Sequence, residues 1–181
     1  MKKTYVFTTL LLVLLLASCD KTVTFDNQWQ TDQEAQFEKI AANTAEYKKI
    51  ESQSGNGFIM YKELESGSGE SPYFTDKVRV LYTGYFKRFW DREDRFTGDD
   101  GNIFINKVIF DSTANRNDIP STFEVKNMVD GFATALQHMK EGDKWEIWIP
   151  WKLGYGATSS GQSQIPAHTT LVFELELVEV M

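Results

Sequence analysis

The chain has 181 residues, a formal net charge of −7 and 25% charged residues. That length accommodates one domain with a sizeable core plus an extension. The acidic balance argues against nucleic acid or an anionic membrane surface as a partner, and a single cysteine excludes a disulfide-stapled scaffold.

At the N-terminus, Lys2 and Lys3 precede an almost unbroken apolar run from Val6 to Leu16, which ends in Leu16-Ala17-Ser18-Cys19. Positive charge, apolar run and small residues in that order predict a secretory signal peptide over residues 1–18, and the run is short for a transmembrane helix. The Leu-Ala-Ser-Cys ending resembles the bacterial lipobox. That resemblance implies lipidation of Cys19, a mature chain starting there, and a lipid-anchored place in the cell envelope, periplasmic or surface-facing. The plainer alternative is an ordinary signal peptide, or an uncleaved anchor, with an incidental cysteine. Removing two lysines leaves the mature chain more acidic, so membrane attachment would come from lipid rather than from basic residues.

Residues 20–30 are polar and read as a tether. Thr31-Asp32-Gln33-Glu34 has the form of a capping box, and Phe37, Ile40, Thr44 and Tyr47 follow at helical spacing before Gly55 and Gly57. The spacing predicts an amphipathic helix over 31–52, packed on its own domain or pairing with a second copy in a homodimer. Residues 19–56 are therefore taken as tether and N-terminal helix, and residues 57–181 as the main domain. There the period changes to two. Phe58–Lys62 is short and β-prone, Lys77–Tyr82 alternates around Val78, Val80 and Tyr82, and Lys144–Pro150 places Trp145, Ile147 and Ile149 on one side. Leu171–Val180 sets Leu171, Phe173, Leu175 and Leu177 against Glu174 and Glu176. Phe132, Leu136 and Met139 mark a short helix stopped by Gly142. The expected fold class is α+β, an antiparallel sheet with one wet face wrapped around one short helix, preceded by the N-terminal helix.

The usual catalytic constellations are missing. His138 and His168 stand apart from any metal-ligand cluster, and there is no nucleophile elbow and no phosphate loop. Asp99-Asp100-Gly101-Asn102 lacks the closing acidic residue of a calcium loop and reads as a tight turn. No metal and no cofactor is expected. What the chain does carry is aromatic residues near the ends of its strands, namely Tyr82, Phe110, Phe123, Phe132, Tyr155 and Phe173. On their own they read as plain core before pocket, since aromatic residues dominate cores anyway.

Seven segments in order change that weighting: Val80-Leu81-Tyr82-Thr83-Gly84, Phe110-Asp111-Ser112-Thr113, Phe123-Glu124-Val125, Met128-Val129-Asp130-Gly131-Phe132, Ala135-Leu136-Gln137-His138-Met139, Leu153-Gly154-Tyr155-Gly156-Ala157, and Ile165 to Phe173. Together they resemble the FKBP-type prolyl isomerases, especially the secreted Mip-like bacterial group, over roughly residues 57–180. The resemblance implies peptidyl-prolyl cis-trans isomerase activity on exported, proline-containing proteins. It also implies a proline pocket walled by Tyr82, Phe110, Phe123, Val129, Phe132, Ile165 and Phe173. Asp111 would be the pocket carboxylate and Tyr155 the phenol that bonds a substrate carbonyl. The Val129 N–H would be a second anchor, with Arg116 set against Asp111.

The chain departs from the family pattern twice. Phe132 stands where the family usually has tryptophan, which keeps an apolar floor but loses area and an indole N–H. Residues 85–106 also replace a short hairpin with an insertion holding Tyr85, Phe86, Phe89, Trp90, Phe96 and Phe104 among charges. It reads as an extended hairpin, either with its own small cluster or as a flap that binds client protein beside the pocket. The functional alternative is a lipid-anchored FKBP-like binding or chaperone module with weak or no catalysis.

Overall fold

The computed structural model describes residues 25–159 and 165–181. The signal segment, Cys19 and the start of the tether lie outside those residues. Helix α1 (Phe25–Ala42) leads into β1 (Lys48–Glu51), β2 (Phe58–Glu65) and the long β3 (Lys77–Lys87). Two short strands follow, β4 (Arg95–Thr97) and β5 (Ile103–Ile105), then β6 (Lys107–Ser112) and β7 (Ser121–Glu124). Helix α2 (Asp130–Leu136), β8 (Lys144–Ile149) and β9 (Leu171–Val180) complete the chain. Seven strands form one antiparallel sheet in the order β1-β2-β8-β9-β3-β6, with β7 pairing the first half of β3. β4 and β5 make a separate two-stranded sheet.

The period-two pattern decides which face is buried. Val78, Val80, Tyr82, Gly84 and Phe86 of β3 point to the same side as Leu171, Phe173, Leu175 and Leu177 of β9 and Trp145, Ile147 and Ile149 of β8, and all are buried. Helix α2 lies on that face through Phe132, Ala135 and Leu136. The helix is shorter than its apolar spacing predicts. Met139 is fully buried, but in the turn beyond it.

Three expectations need correction. The N-terminal helix occupies 25–42 rather than 31–52. Thr31 is no cap, since its hydroxyl donates to the Asn27 carbonyl one turn back, and residues 25–30 are helical rather than tether. Residues 48–51 form an edge strand because they can pair β2, Ile50 opposite Ile59. Tyr47 stands in the turn before that strand, its ring edge-on to Trp148 and its hydroxyl donating to Glu146 at 2.8 Å.

The outer sheet face, expected to be wet, is so over only part of its length. Met60, Trp148, Val172 and Tyr85 face one another across β2, β8, β9 and β3. Phe37 of α1, Tyr47 and Trp90 pack against that row as a second core. The charged residues Lys144, Glu146, Glu174 and Glu176 share the other end of β8 and β9.

The insertion is an extended hairpin whose aromatics divide three ways. Pairing of β3 with β6 continues to Lys87 opposite Lys107 before the β4–β5 pair takes over. Phe86 enters the main core and Trp90 packs on Trp148 at 5.1 Å. Phe96 joins Phe89 and Phe104, edge-on to the first at 6.0 Å and stacked on the second at 5.6 Å.

Candidate functional site

Five of the six aromatic residues singled out in the sequence meet on the inner sheet face. β3 supplies Tyr82, β6 Phe110, β7 Phe123, α2 Phe132 and β9 Phe173. Phe132 sits at the centre, its ring 6.2 Å from Tyr82, 6.4 Å from Phe123 and 5.1 Å from Phe173, each edge-on or nearly so. Phe110 meets Phe173 edge-on at 5.5 Å, and Tyr82 lies 5.7 Å from Phe123. Edge-to-face contacts of this kind hold rings at fixed angles, so the basin is shaped before anything enters it. Phe132, Phe173, Tyr82 and Ile165 are buried, whereas Phe110, Phe123 and Val129 are only partly covered. Gly84 explains how the floor closes. A Cβ there would come within 2.5 Å of the Phe173 ring and 2.7 Å of Phe110, so only glycine lets both rings approach the strand.

The rim carries the charge. Tyr82 donates its hydroxyl to one oxygen of Asp111, and Arg116 donates to the other at 2.7 Å. Arg116 reaches further, to the Tyr82 hydroxyl at 3.3 Å and to Ser121 Oγ at 3.2 Å. Partial burial opposes charge on Asp111. The hydrogen bonds from Tyr82 and Arg116 and the Arg116 charge outweigh it and hold the carboxyl below its ordinary range. Burial, followed by the bond to Asp111, pushes the Tyr82 phenol up to about 12. Asp111 therefore stays ionised and Tyr82 stays a protonated donor at neutral pH.

Two donors near this rim have no hydrogen-bond acceptor among the described residues. One is the Val129 N–H, at the N-terminus of α2, where extended backbone (φ −57°, ψ 147°) leads into the helix. The other is the Tyr155 hydroxyl, in the turn after β8; burial and then the Asp111 charge raise its pKa. Tyr155 is 40% exposed, so an incoming group can reach it.

Sequence reasoning missed two supports. Thr113 locks the Tyr82 backbone, its hydroxyl accepting from the Tyr82 N–H at 3.0 Å and donating to the Tyr82 carbonyl. Ser121 fixes the far side of Arg116. Thr113 belongs to a segment already singled out, but nothing in hydrophobic periodicity marks a side chain that bonds backbone on another strand. His168 takes part in loop packing, with φ 58°, its ring edge-on to Trp151 and its N–H bonded to the Gly156 carbonyl.

Comparison with known proteins points to one family. A family profile described as FKBP-type peptidyl-prolyl cis-trans isomerase matches residues 69–178. The FKBP-type 22 kDa peptidyl-prolyl cis-trans isomerase of Escherichia coli is 34% identical over 150 residues, 80% of this chain and 63% of that protein. The outer membrane protein MIP of Legionella longbeachae is 33% identical over 67% of this chain and 44% of its own length. A crystal structure of a peptidyl-prolyl cis-trans isomerase from Pseudomonas syringae superposes with a TM-score of 0.59 at 30% identity, covering 83% of this chain and 94% of that one. The chain thus spans less than two thirds of these two curated relatives.

Proposed function

The chain belongs to the FKBP-type peptidyl-prolyl cis-trans isomerase family, and from that premise we propose that it catalyses rotation about X–Pro bonds in exported proteins. The observation that carries this reading is the contiguous aromatic cluster of Tyr82, Phe110, Phe123 and Phe173 around Phe132, with an ionised Asp111 at its rim.

Amide resonance sets a barrier of ~18–20 kcal/mol to this rotation. At the twisted geometry resonance is lost, the carbonyl oxygen carries less charge, and its need for water falls. A dry aromatic basin that takes the proline ring therefore favours the twisted amide over the planar one, which is binding energy spent at the transition state. Ile165 and Val129 would complete the walls. The Val129 N–H and the Tyr155 hydroxyl suit the two carbonyls flanking the proline, because each is a donor without an acceptor among the described residues. Asp111 would orient Tyr82 and the substrate carbonyl through its ionised oxygens, with no proton transfer. This chemistry needs neither metal nor nucleophile.

NMR exchange spectroscopy on a short X–Pro peptide tests the reading directly. Faster cis–trans exchange with the protein than without it is expected; equal rates would leave a binding module with little catalysis, the role that Phe132 in place of tryptophan favours.

An envelope location with lipid on Cys19 fits the Leu-Ala-Ser-Cys signal, and the Legionella relative is itself called an outer membrane protein. A homodimer through α1 would have to use residues other than Trp29, Gln33 and Phe37, which the helix buries within its own chain, and Phe25, 76% exposed, is the available apolar group.

A further inference from the structure

The hairpin between β3 and β6 combines rigidity with exposed apolar side chains. Asn106 is fully buried, and its amide nitrogen is shared among the carbonyls of Phe89, Arg92 and Glu93 at 2.8–3.1 Å, while its oxygen accepts the Phe89 N–H at 2.8 Å. Its backbone N–H bonds the Asp94 carbonyl and its own carbonyl takes the Arg88 N–H. Asp94 in turn pairs with Lys87 at 2.8 Å and Lys107 at 3.9 Å. A loop bolted this way is not a loose excursion. It nevertheless leaves Ile103 at 62%, Ile105 at 55% and Ile109 at 51% exposure.

Those three isoleucines lie on one run of chain, β5 continuing through Asn106 into β6. Among the described residues β5 pairs only with β4 and β6 only with β3, so the stretch has strand partners on one side alone. Exposed edges of this kind are usually short or blunted by charge, because they accept a further strand. The same β6 carries Phe110 and Asp111, so the open edge is continuous with the wall and rim of the pocket.

We infer that the outer edge of β5–β6 binds an extended, apolar segment of the same polypeptide whose proline occupies the pocket. The deduction rests on the isomerase reading for the pocket and adds a second, strand-like subsite to it. The occupant is a client rather than a second copy of this chain. A few part-exposed side chains present far less than the roughly 1,600 Å² that a stable dimer buries, which suits a contact made and released at each turnover. An extended chain advances about 3.3 Å per residue, so a client side chain about five residues from the proline would reach Ile105.

Two labelled peptides sharing one X–Pro core test this, one of about four residues and one extended by about eight apolar and polar residues in alternation. With the full chain, tighter binding and lower KM are expected for the long peptide. The triple variant Ile103→Thr, Ile105→Thr, Ile109→Thr keeps β-branched side chains and should weaken the long peptide about tenfold, leaving the short one within about twofold. Equal loss on both peptides, or no loss on either, overturns the inference. So does a wild-type dimer in sedimentation that the triple variant dissociates. If that variant melts early, Ile105→Lys serves the same comparison. If the wild-type protein speeds exchange in neither peptide, the isomerase reading fails. The affinity ratio between long and short peptide then still decides the edge, a ratio near one rejecting it.

Discussion

Asp111 is held from three positions, by Tyr82 on β3, by Arg116 five residues further on, and through Arg116 by Ser121. The lowered pKa fixes the sign of its linkage to stability. A carboxyl whose folded value lies below the unfolded value of about 3.9 contributes stability in full above that pH and loses it as pH falls through the folded value. The Asp111 side chain is 44% exposed, so the effect is small. Urea midpoints of wild type and Asp111→Asn should therefore differ at pH ~6 and converge between about pH 4 and pH 2. A gap that persists to the lowest pH contradicts the network. For activity, Tyr155→Phe combined with Asp111→Val should lower X–Pro exchange by about tenfold or more while the circular dichroism spectrum stays native. Unchanged exchange would remove both residues from the site. Phe110-Asp111 and Arg116 are legible through the family resemblance, which sets that arginine against that aspartate. Thr113 is not, because its partner Tyr82 comes to it only through the pairing of β3 with β6. Ser121 lies only five residues after Arg116, but a lone serine carries no pattern that marks its partner.

At the scale of elements, α1 shows where periodicity misleads. Trp29, Gln33 and Phe37 lie at i, i+4 and i+8 and form the buried stripe, but its middle member is polar. An apolar template skips it and shifts the helix toward residue 52. Gln33 is fully buried because it substitutes for backbone partners. Its amide accepts the Thr170 N–H at 3.1 Å and donates to the Lys87 carbonyl at 3.3 Å, while its own carbonyl takes the Thr170 hydroxyl. Trp29 bonds Thr169, and Glu34 accepts from Trp151. The helix thus ties the entry to β9, the end of β3 and the turn after β8 together. Gln33→Ala would orphan the Thr170 N–H and the Lys87 carbonyl, and should cost about 1–3 kcal/mol in urea unfolding. A loss below about 0.5 kcal/mol would show that water or relaxation replaces those bonds.

At the scale of the whole molecule, one sheet carries two cores, the first holding α2, the aromatic basin and Trp29 of α1, the second holding Phe37 of α1 against part of the other face. The basin and the β5–β6 edge share β6, which carries Phe110 and Asp111. A lipid on Cys19 would attach through the short stretch before α1, tethering the domain close to its membrane. Cys19→Ala is expected to abolish incorporation of labelled fatty acid and to move the protein out of the membrane fraction; retention of either refutes the lipid anchor. The sequence by itself determined the family, the alternating strands, the short helix under them and the aromatic set, since each is written in local spacing or in short segments kept in order. Only the tertiary structure decided that Lys48–Glu51 is a strand, that the second face is partly dry, and that the insertion is pinned by Asn106 with its isoleucines outward. Those outcomes depend on hydrogen bonds and packing between residues far apart in the chain, which no local pattern of polarity records.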